Sequence, residues 1–288
     1  MRISALYKSK RKTLALEIFP PKPDIPIDTL FASIEGFKKL LPDYISVTYG
    51  AGGSQRGRTV EIASKLKNYY GIESMSHLTC VGHSVEEIDG LLAKMKEENI
   101  NNILALRGDP PINQPNFSYE NGAFKYANEL IAHIKKTDDF CIAAAAYLEG
   151  HSDSIRLDQD RLYLKQKVDA GVDLLVTQLF FDIRLYFDFL DRCEQLNINC
   201  PVIPGIMPIF NARIKTMTAR SGCSIPANLV LMIDKYQDSP EDLKKAGEEY
   251  AASMIRELLD GGAPGIHLYT MNKLESTVEI LKQAGLRD

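Results

Sequence analysis

Eight short, mostly apolar runs recur along the chain. They are residues 13–19 (TLALEIF), 44–48 (YISVT), 74–79 (SMSHLT), 102–107 (NILALR), 141–147 (CIAAAAY), 174–181 (LLVTQLFF), 202–207 (VIPGIM) and 265–271 (GIHLYTM). Most end in a polar residue or a Gly/Pro loop. The gaps hold segments with apolar residues at helical spacing, as at 160–170 and 185–196. Eight strand-and-helix units predict an α/β fold of the (β/α)8 barrel type, a single domain over residues 1–288 with a short N-terminal arm. Barrels of this kind carry their active sites at the C-terminal ends of the strands, so the strand ends supply the candidate site residues.

The helical segments carry their own punctuation. Ser84 with Glu87 fits a capping box. Ser239 before Pro240 predicts an N-cap followed by proline at the first helical position. Gly71, Gly171 and Gly261 follow helical stretches, where a left-handed C-cap is expected. The longest gap, between the seventh and eighth runs, predicts two or three helices, with one near 226–234 and one near 240–259.

Alternation along each strand sorts side chains onto two faces. In the first run Leu14, Leu16 and Ile18 oppose Ala15 and Glu17; in the second, Ile45 and Val47 oppose Ser46 and Thr48. In the third, Met75, His77 and Thr79 share a face; in the fourth, Leu104 and Leu106 oppose Ala105, Arg107 and Asp109. With apolar sets assigned to the helix-covered surface, Glu17, Thr48, His77, Arg107 and Asp109 are expected to line a pocket inside the barrel mouth.

The length of 288 residues fits one barrel, and the 45% hydrophobic and 25% charged content is that of a globular protein with a large core. A net charge of −4 provides no general field for nucleic acid or anionic membrane. The basic cluster at 8–12 (KSKRK) reads as a solvated arm. No apolar run is long enough to span a membrane. Glu17 and Pro20 break the first apolar stretch, which argues against an export signal. Five scattered cysteines form no CxxC pair and no zinc-ligand set, so no metal is expected, and reduced thiols in a cytoplasmic enzyme are.

Several positions carry possible chemistry. Glu17 lies inside an apolar strand, where a carboxylate must be paired or protonated. Burial raises such a pKa and suits a general acid; the alternative is a structural ion pair. Arg107-Gly108-Asp109 ends the fourth run. Arginine offers a planar fork for phosphate and Gly108 permits close backbone approach; the alternative is a local Arg–Asp bridge that anchors the loop. The glycine-rich stretch 50–57 (GAGGSQRG) lacks the Gly-Lys-Ser/Thr of a Walker loop and the GxGxxG spacing, and reads equally as an anion loop or a plain connection. His77 offers a proton carrier or a hydrogen-bonding partner. His151 and Lys167 offer charge for phosphate, or ordinary surface charge. Gln178 offers an amide for the polar edge of a heterocycle, or a bridge between strands.

Taken together, EIFPP, SVTYGAGGS, SHLTC, LALRGDPP, AAAYLEGH, KVDAGVDLLVTQLFFD, VIPGIMPI and HLYTMN resemble the methylenetetrahydrofolate reductase family, in order and over nearly the whole chain. The resemblance implies a flavin-bearing (β/α)8 barrel that reduces 5,10-methylenetetrahydrofolate to 5-methyltetrahydrofolate with NADH or NADPH, through bound FAD. It implies that Glu17 is the general acid, assisting protonation at N10 and ring opening to an N5 iminium, which reduced flavin then reduces. It implies that Asp109 sits beside the flavin ring, tunes it and helps hold the pterin. Gln178 matches a substrate-binding amide. Thr48, His77, Arg107, Gly108, Tyr147, His151, Asp160 and Lys167 match positions that hold FAD, and Lys273 falls near the folate tail. Relatives form homo-oligomers. Gly57 and Ala212 depart from the pattern: relatives often carry an acidic residue at the first, and some an aromatic at the second. Eukaryotic relatives carry an added C-terminal regulatory domain, which is not expected here.

Two competitors stand beside this reading. One is a flavoprotein subunit of a folate-reducing complex, fed electrons by a partner protein. The other is a folate-binding barrel without redox chemistry, against which Glu17, Arg107 and Asp109 argue.

Overall fold

The computed structural model describes residues 1–9, 12–50, 56–110, 117–119 and 122–287, with backbone only at 56, 57 and 220. Its strands are β1 (Thr13–Ile18), β2 (Tyr44–Val47), β3 (Ser74–Thr79), β4 (Asn102–Leu106), β5 (Cys141–Ala146), β6 (Leu174–Thr177), β7 (Val202–Ile203), β8 (Gly205–Ile206) and β9 (Gly265–Tyr269). All pair in parallel, in the order β7-β6-β5-β4-β3-β2-β1-β9-β8. The seventh predicted run is thus two strands. Pro204 has no N–H to donate to a ladder. The chain bends there, so β7 pairs with β6 while β8 pairs with β9. Because β7 and β8 are joined through that proline, the ring closes as a (β/α)8 barrel of eight staves, nine strands with two sharing one stave.

The helices are α1 (Asp28–Lys39), α2 (Arg56–Asn68), α3 (Val85–Glu97), α4 (Ala127–Thr137), α5 (Leu157–Asp169), α6 (Ile183–Gln195), α7 (Ile214–Ser221), α8 (Ala227–Lys235), α9 (Pro240–Asp260) and α10 (Leu274–Gln283). Ser84 caps α3 through the expected box: Glu87 N donates to Ser84 Oγ, and Ser84 N donates to Glu87 Oε2. Ser84→Ala is expected to cost about 1 kcal/mol, read as a lower denaturation midpoint with unchanged slope. Pro240 does open α9, but the Ser239 hydroxyl bonds the Asp242 carboxylate rather than a backbone N–H. Gly71 and Gly171 adopt positive φ as expected, whereas after α9 the left-handed residue is Gly262 (φ 101°) and not Gly261 (φ −72°).

Two layers of apolar packing hold the barrel. Outside the staves, Leu14, Leu16, Ile18, Ile45, Val47, Ile103 and Ala105 pack beneath helices. Inside, Ala15, Tyr44, Met75, Leu104, Cys141, Ala143, Leu174, Val176 and Ile203 form a second cluster, with Leu106 packed against it. Ile3, from a 3₁₀ turn spanning Ile3–Lys8, closes that cluster at the N-terminal end of the barrel, and its backbone N–H donates to Asn102 Oδ1. Lys12 reaches the carbonyls of Leu259 and Ala263 at 2.9 and 2.8 Å.

The inner cluster corrects the fourth run. Leu104 and Leu106 face into the barrel, and Ile103 and Ala105 face the helices, so Arg107 follows the helix-facing parity. Polarity misleads here because strands of a parallel barrel are buried on both faces, and the interior is itself filled with bulky apolar residues. The faces assigned to β1, β2 and β3 match the two clusters.

Among the described residues no helix is long and apolar enough to cross a membrane, and no group of three His, Cys, Asp or Glu is placed to hold a metal ion. The five cysteines are free thiols.

Candidate active site

The C-terminal rim of the barrel carries two adjoining groups of polar side chains. The first surrounds Glu17. This residue lies one position before the end of β1, in register with Ser46 of β2 and Tyr269 of β9. Its Oε2 lies 3.1 Å from His267 Nε2 and 3.4 Å from His77 Nε2, and the His77 nitrogen lies 2.6 Å from Ser46 Oγ. Burial pushes the Glu17 carboxyl up, but the His267 hydrogen bond and the two imidazoles outweigh it and hold the group below its ordinary value. The expectation of a raised pKa fails for this reason: strand neighbours supply partners that favour the anion. Burial drives His77 down to about 4, so its ring is uncharged near neutrality and acts as a hydrogen-bonding partner.

The backbone around Glu17 is gripped by the segment following β9. Thr270 Oγ1 donates to the Glu17 carbonyl at 2.6 Å. The Asn272 amide bonds Phe19 twice, accepting from its N–H and donating to its carbonyl. Arg58 of α2 donates to the carbonyls of Pro21, Lys22, Pro23 and Ile25, which fixes the proline-rich loop after β1. Thr48 follows β2, and its carbonyl accepts from Thr59 Oγ1. Gln178 follows β6; its Oε1 accepts from Leu179 N, and its Nε2 has no hydrogen bond among the described residues. It therefore bridges no neighbouring strand there. Lys273 is exposed, with Nζ 4.2 Å from the centre of the Phe210 ring.

The second group lines a cavity of about 570 Å³ over the ends of β4 and β5, walled by α4 and α5. Arg107, Tyr147, His151, Asp160 and Lys167 all line it. Arg107 pairs with Asp153 at 2.7 Å and stacks on Tyr119, 4.5 Å from ring centre to guanidinium carbon. The Arg–Asp bridge of the sequence reading thus has Asp153, not Asp109, as its acid. Tyr147 and His151 meet edge to face, and His151 Nδ1 accepts from Asp153 N. Asp160 accepts from Ser154 Oγ. Lys167 Nζ donates to the Ala145 carbonyl, and burial drives its pKa down to about 8, with Arg107 adding to the fall. Burial pushes the Tyr147 phenol up to about 12.

Gly108 joins the two groups. Its φ of 87° favours glycine, and a Cβ there would lie 2.5 Å from Val81 Cγ1 and 2.9 Å from Thr79 Cβ. Its lack of a side chain therefore lets the chain turn tightly against β3. Asp109 follows, exposed at the rim. Of the glycine-rich stretch, residues 51–55 lie outside the described residues, as do the side chains at 56 and 57.

Sequence reasoning missed His267, Asp153 and Tyr119. The face-sorting that found Glu17 and His77 would have found His267 in the eighth run, where it shares a face with Tyr269. Nothing in the sequence ties Asp153 or Tyr119 to Arg107, because the loops that bring them together are irregular.

The fold and the rim chemistry define a (β/α)8 barrel with a partly buried carboxylate at its mouth and a cationic, aromatic-lined cavity beside it. The family profile for methylenetetrahydrofolate reductase matches residues 2–285, and the chain belongs to that family. Methylenetetrahydrofolate reductase (NADH) 1 of Arabidopsis thaliana is 38% identical over 299 residues, which cover 100% of this chain and 50% of the relative. The 5,10-methylenetetrahydrofolate reductase of Escherichia coli K12 is 35% identical over 277 residues, covering 95% of this chain and 91% of the relative. The chain thus spans about half the length of the plant relatives it matches and most of the bacterial one. An uncharacterized protein from Clostridium thermocellum, whose solved structure binds two copies of 5-methyl-5,6,7,8-tetrahydrofolic acid, shares the fold at a TM-score of 0.68 and 16% identity, over 99% of this chain and 98% of that one.

Proposed function

We propose that this chain reduces 5,10-methylenetetrahydrofolate to 5-methyltetrahydrofolate, taking electrons from NADH or NADPH through bound FAD. The observation that carries the reading is the Glu17 carboxyl, partly buried at the C-terminal mouth between His77 and His267, in a member of this family. A carboxyl so placed can pass a proton to one atom of a bound substrate once that substrate covers the mouth and disfavours the anion.

The residues of the second group fit a flavin dinucleotide. Arg107 and Lys167 supply fixed positive charge for phosphates, while Leu106, Tyr126 and Tyr163 supply apolar and aromatic walls for flat rings. Thr48, His77, Arg107, Gly108, Tyr147, His151, Asp160 and Lys167 would hold the cofactor, and Asp109 would stand beside its ring. When bound, the flavin supplies the hydride. The Glu17 carboxyl gives its proton to N10 of the folate, which opens the five-membered ring to the N5 iminium. Gln178 offers its unpaired Nε2 to the pterin edge, Asp109 helps hold the pterin, and Lys273 attracts the anionic folate tail. The buried free thiols Cys80, Cys141 and Cys193 suit a reducing compartment, and a cytoplasmic setting belongs to this reading. So does the assignment of residues 1–288 to one catalytic barrel that assembles as a homo-oligomer.

The test is an anaerobic absorbance titration of the purified chain with NADH, with NADPH in parallel, and then with methylenetetrahydrofolate. Bleaching by a nucleotide and recovery with folate are expected. Flavin that neither nucleotide bleaches would assign electron supply to a partner protein, and a chain that binds no flavin would sink the reductase reading.

A further inference from the structure

His267 is fully buried on β9, and its Nδ1 has no hydrogen-bond partner among the described residues. A buried histidine that served packing alone would be expected to satisfy both ring nitrogens. Here the hydrogen bond is spent at Nε2, on Glu17 Oε2. With the carboxylate ionised and able only to accept, this contact calls for the tautomer in which Nε2 carries the hydrogen and Nδ1 is bare. The register supports a built contact, since His267 pairs with Ala15 and Tyr269 with Glu17, so both β9 side chains share the inward face beside the acid.

The rest of the segment acts on the same residue. Thr270 and Asn272 hold the backbone that follows Glu17, at its own carbonyl and at Phe19. Met271 and Asn272 adopt positive φ, 52° and 55°, to bring them there. Non-glycine residues in that region cost energy and persist where the surroundings fix them. Among the described residues, the groups that face the Glu17 carboxyl are Ser46 on β2, His77 on β3, and His267 and Tyr269 on β9. His77 is uncharged near neutrality and is engaged by Ser46, which leaves His267 as the dedicated donor.

We propose that His267 is a positioning residue: its Nε2–H fixes the orientation of the Glu17 carboxyl and sets the pH range over which that carboxyl carries the proton given to the folate. The functional half of the statement rests on the reductase reading; the contact itself does not.

The experiment compares wild type with His267→Leu, which removes the donor, and His267→Gln, which places an amide nitrogen near the Nε2 position. The Glu17 carboxyl is followed by ¹³C NMR, assigned by its loss in Glu17→Gln, and the folate half-reaction is measured against pH. Losing a donor to the anion disfavours the anion, so the titration midpoint in His267→Leu should rise by about one pH unit. The basic limb of folate reduction should move up with it, and His267→Gln should bring both back toward wild type. An unmoved midpoint in a folded His267→Leu would overturn the proposal. If that variant does not fold, long-range ¹H–¹⁵N spectra of wild type decide: a hydrogen on Nε2 supports the contact, and a hydrogen on Nδ1 refutes it. A wild type that reduces no folate would fail the reductase reading, while the NMR midpoint would still decide the contact.

Discussion

Glu17→Gln is expected to slow methylenetetrahydrofolate reduction by about 10²–10⁴-fold, the usual contribution of a positioned acid. Flavin reduction by the nicotinamide should persist. The substitution preserves shape and keeps an acceptor for the His267 N–H, so the site should stay assembled, yet the amide has no proton to give to N10. Separate rapid-mixing experiments on the two half-reactions check this, and folate reduction near the wild-type rate would remove Glu17 from the acid role. The pH dependence has a definite sign. His267 and His77 hold the unliganded carboxyl below its ordinary value, so the acid form grows as pH falls and the wild-type folate half-reaction should speed up toward acid. Folate seated over the mouth excludes water and opposes this by disfavouring the anion, which moves that limb upward in the complex. Glu17→Gln should abolish the limb altogether.

The sequence made these residues legible to different degrees, for physical reasons. The eight apolar runs predicted every stave to within a few residues, because a parallel barrel buries its strands and punctuates each with a polar end. Alternation placed Glu17, Ser46 and His77 on the inner face, since a carboxylate or imidazole inside an apolar strand has few other reasons to be there. The same rule failed at β4, where Leu104 and Leu106 fill the barrel interior and the helix-facing side is equally apolar; with both faces buried, hydrophobicity carries no direction. That error put Arg107 in the mouth with Glu17, whereas its guanidinium meets Asp153 and Tyr119 at the neighbouring cavity. His267 is within reach of the same rule, since it alternates with Ile266 and Leu268 and shares its face with Tyr269. The direction of the Glu17 pKa was out of reach, because it depends on two imidazoles brought in by β3 and β9 rather than on burial alone. The break at Pro204 was visible as a proline in the seventh run, but only the pairing shows that it lets one stave bond to both neighbours in two pieces.

Arg107→Met should weaken flavin binding by about 10- to 100-fold, the factor set by losing one hydrogen bond to a charged group. The guanidinium is already held in place: Asp153 fixes its fork at 2.7 Å and the Tyr119 face supports it, so little side-chain freedom remains to be lost when an anion binds. Lys167 is the second cation of the cavity, and its response separates a phosphate site from a merely structural one. Burial drives Lys167 down to about 8, and Arg107 pushes it further in the same direction. Wild-type affinity for an anionic cofactor should therefore fall as pH rises through about 8, where the ammonium is lost. Arg107→Met removes a neighbouring positive charge, so Lys167 should keep its proton to higher pH, and the fall in affinity should begin later even though the affinity itself is lower. Lys167→Met should lower affinity and erase this pH dependence. Flavin fluorescence titrations of the stripped protein across pH read all three. Wild-type affinity in Arg107→Met, or a pH dependence that survives in Lys167→Met, would show that this cavity does not hold the phosphates.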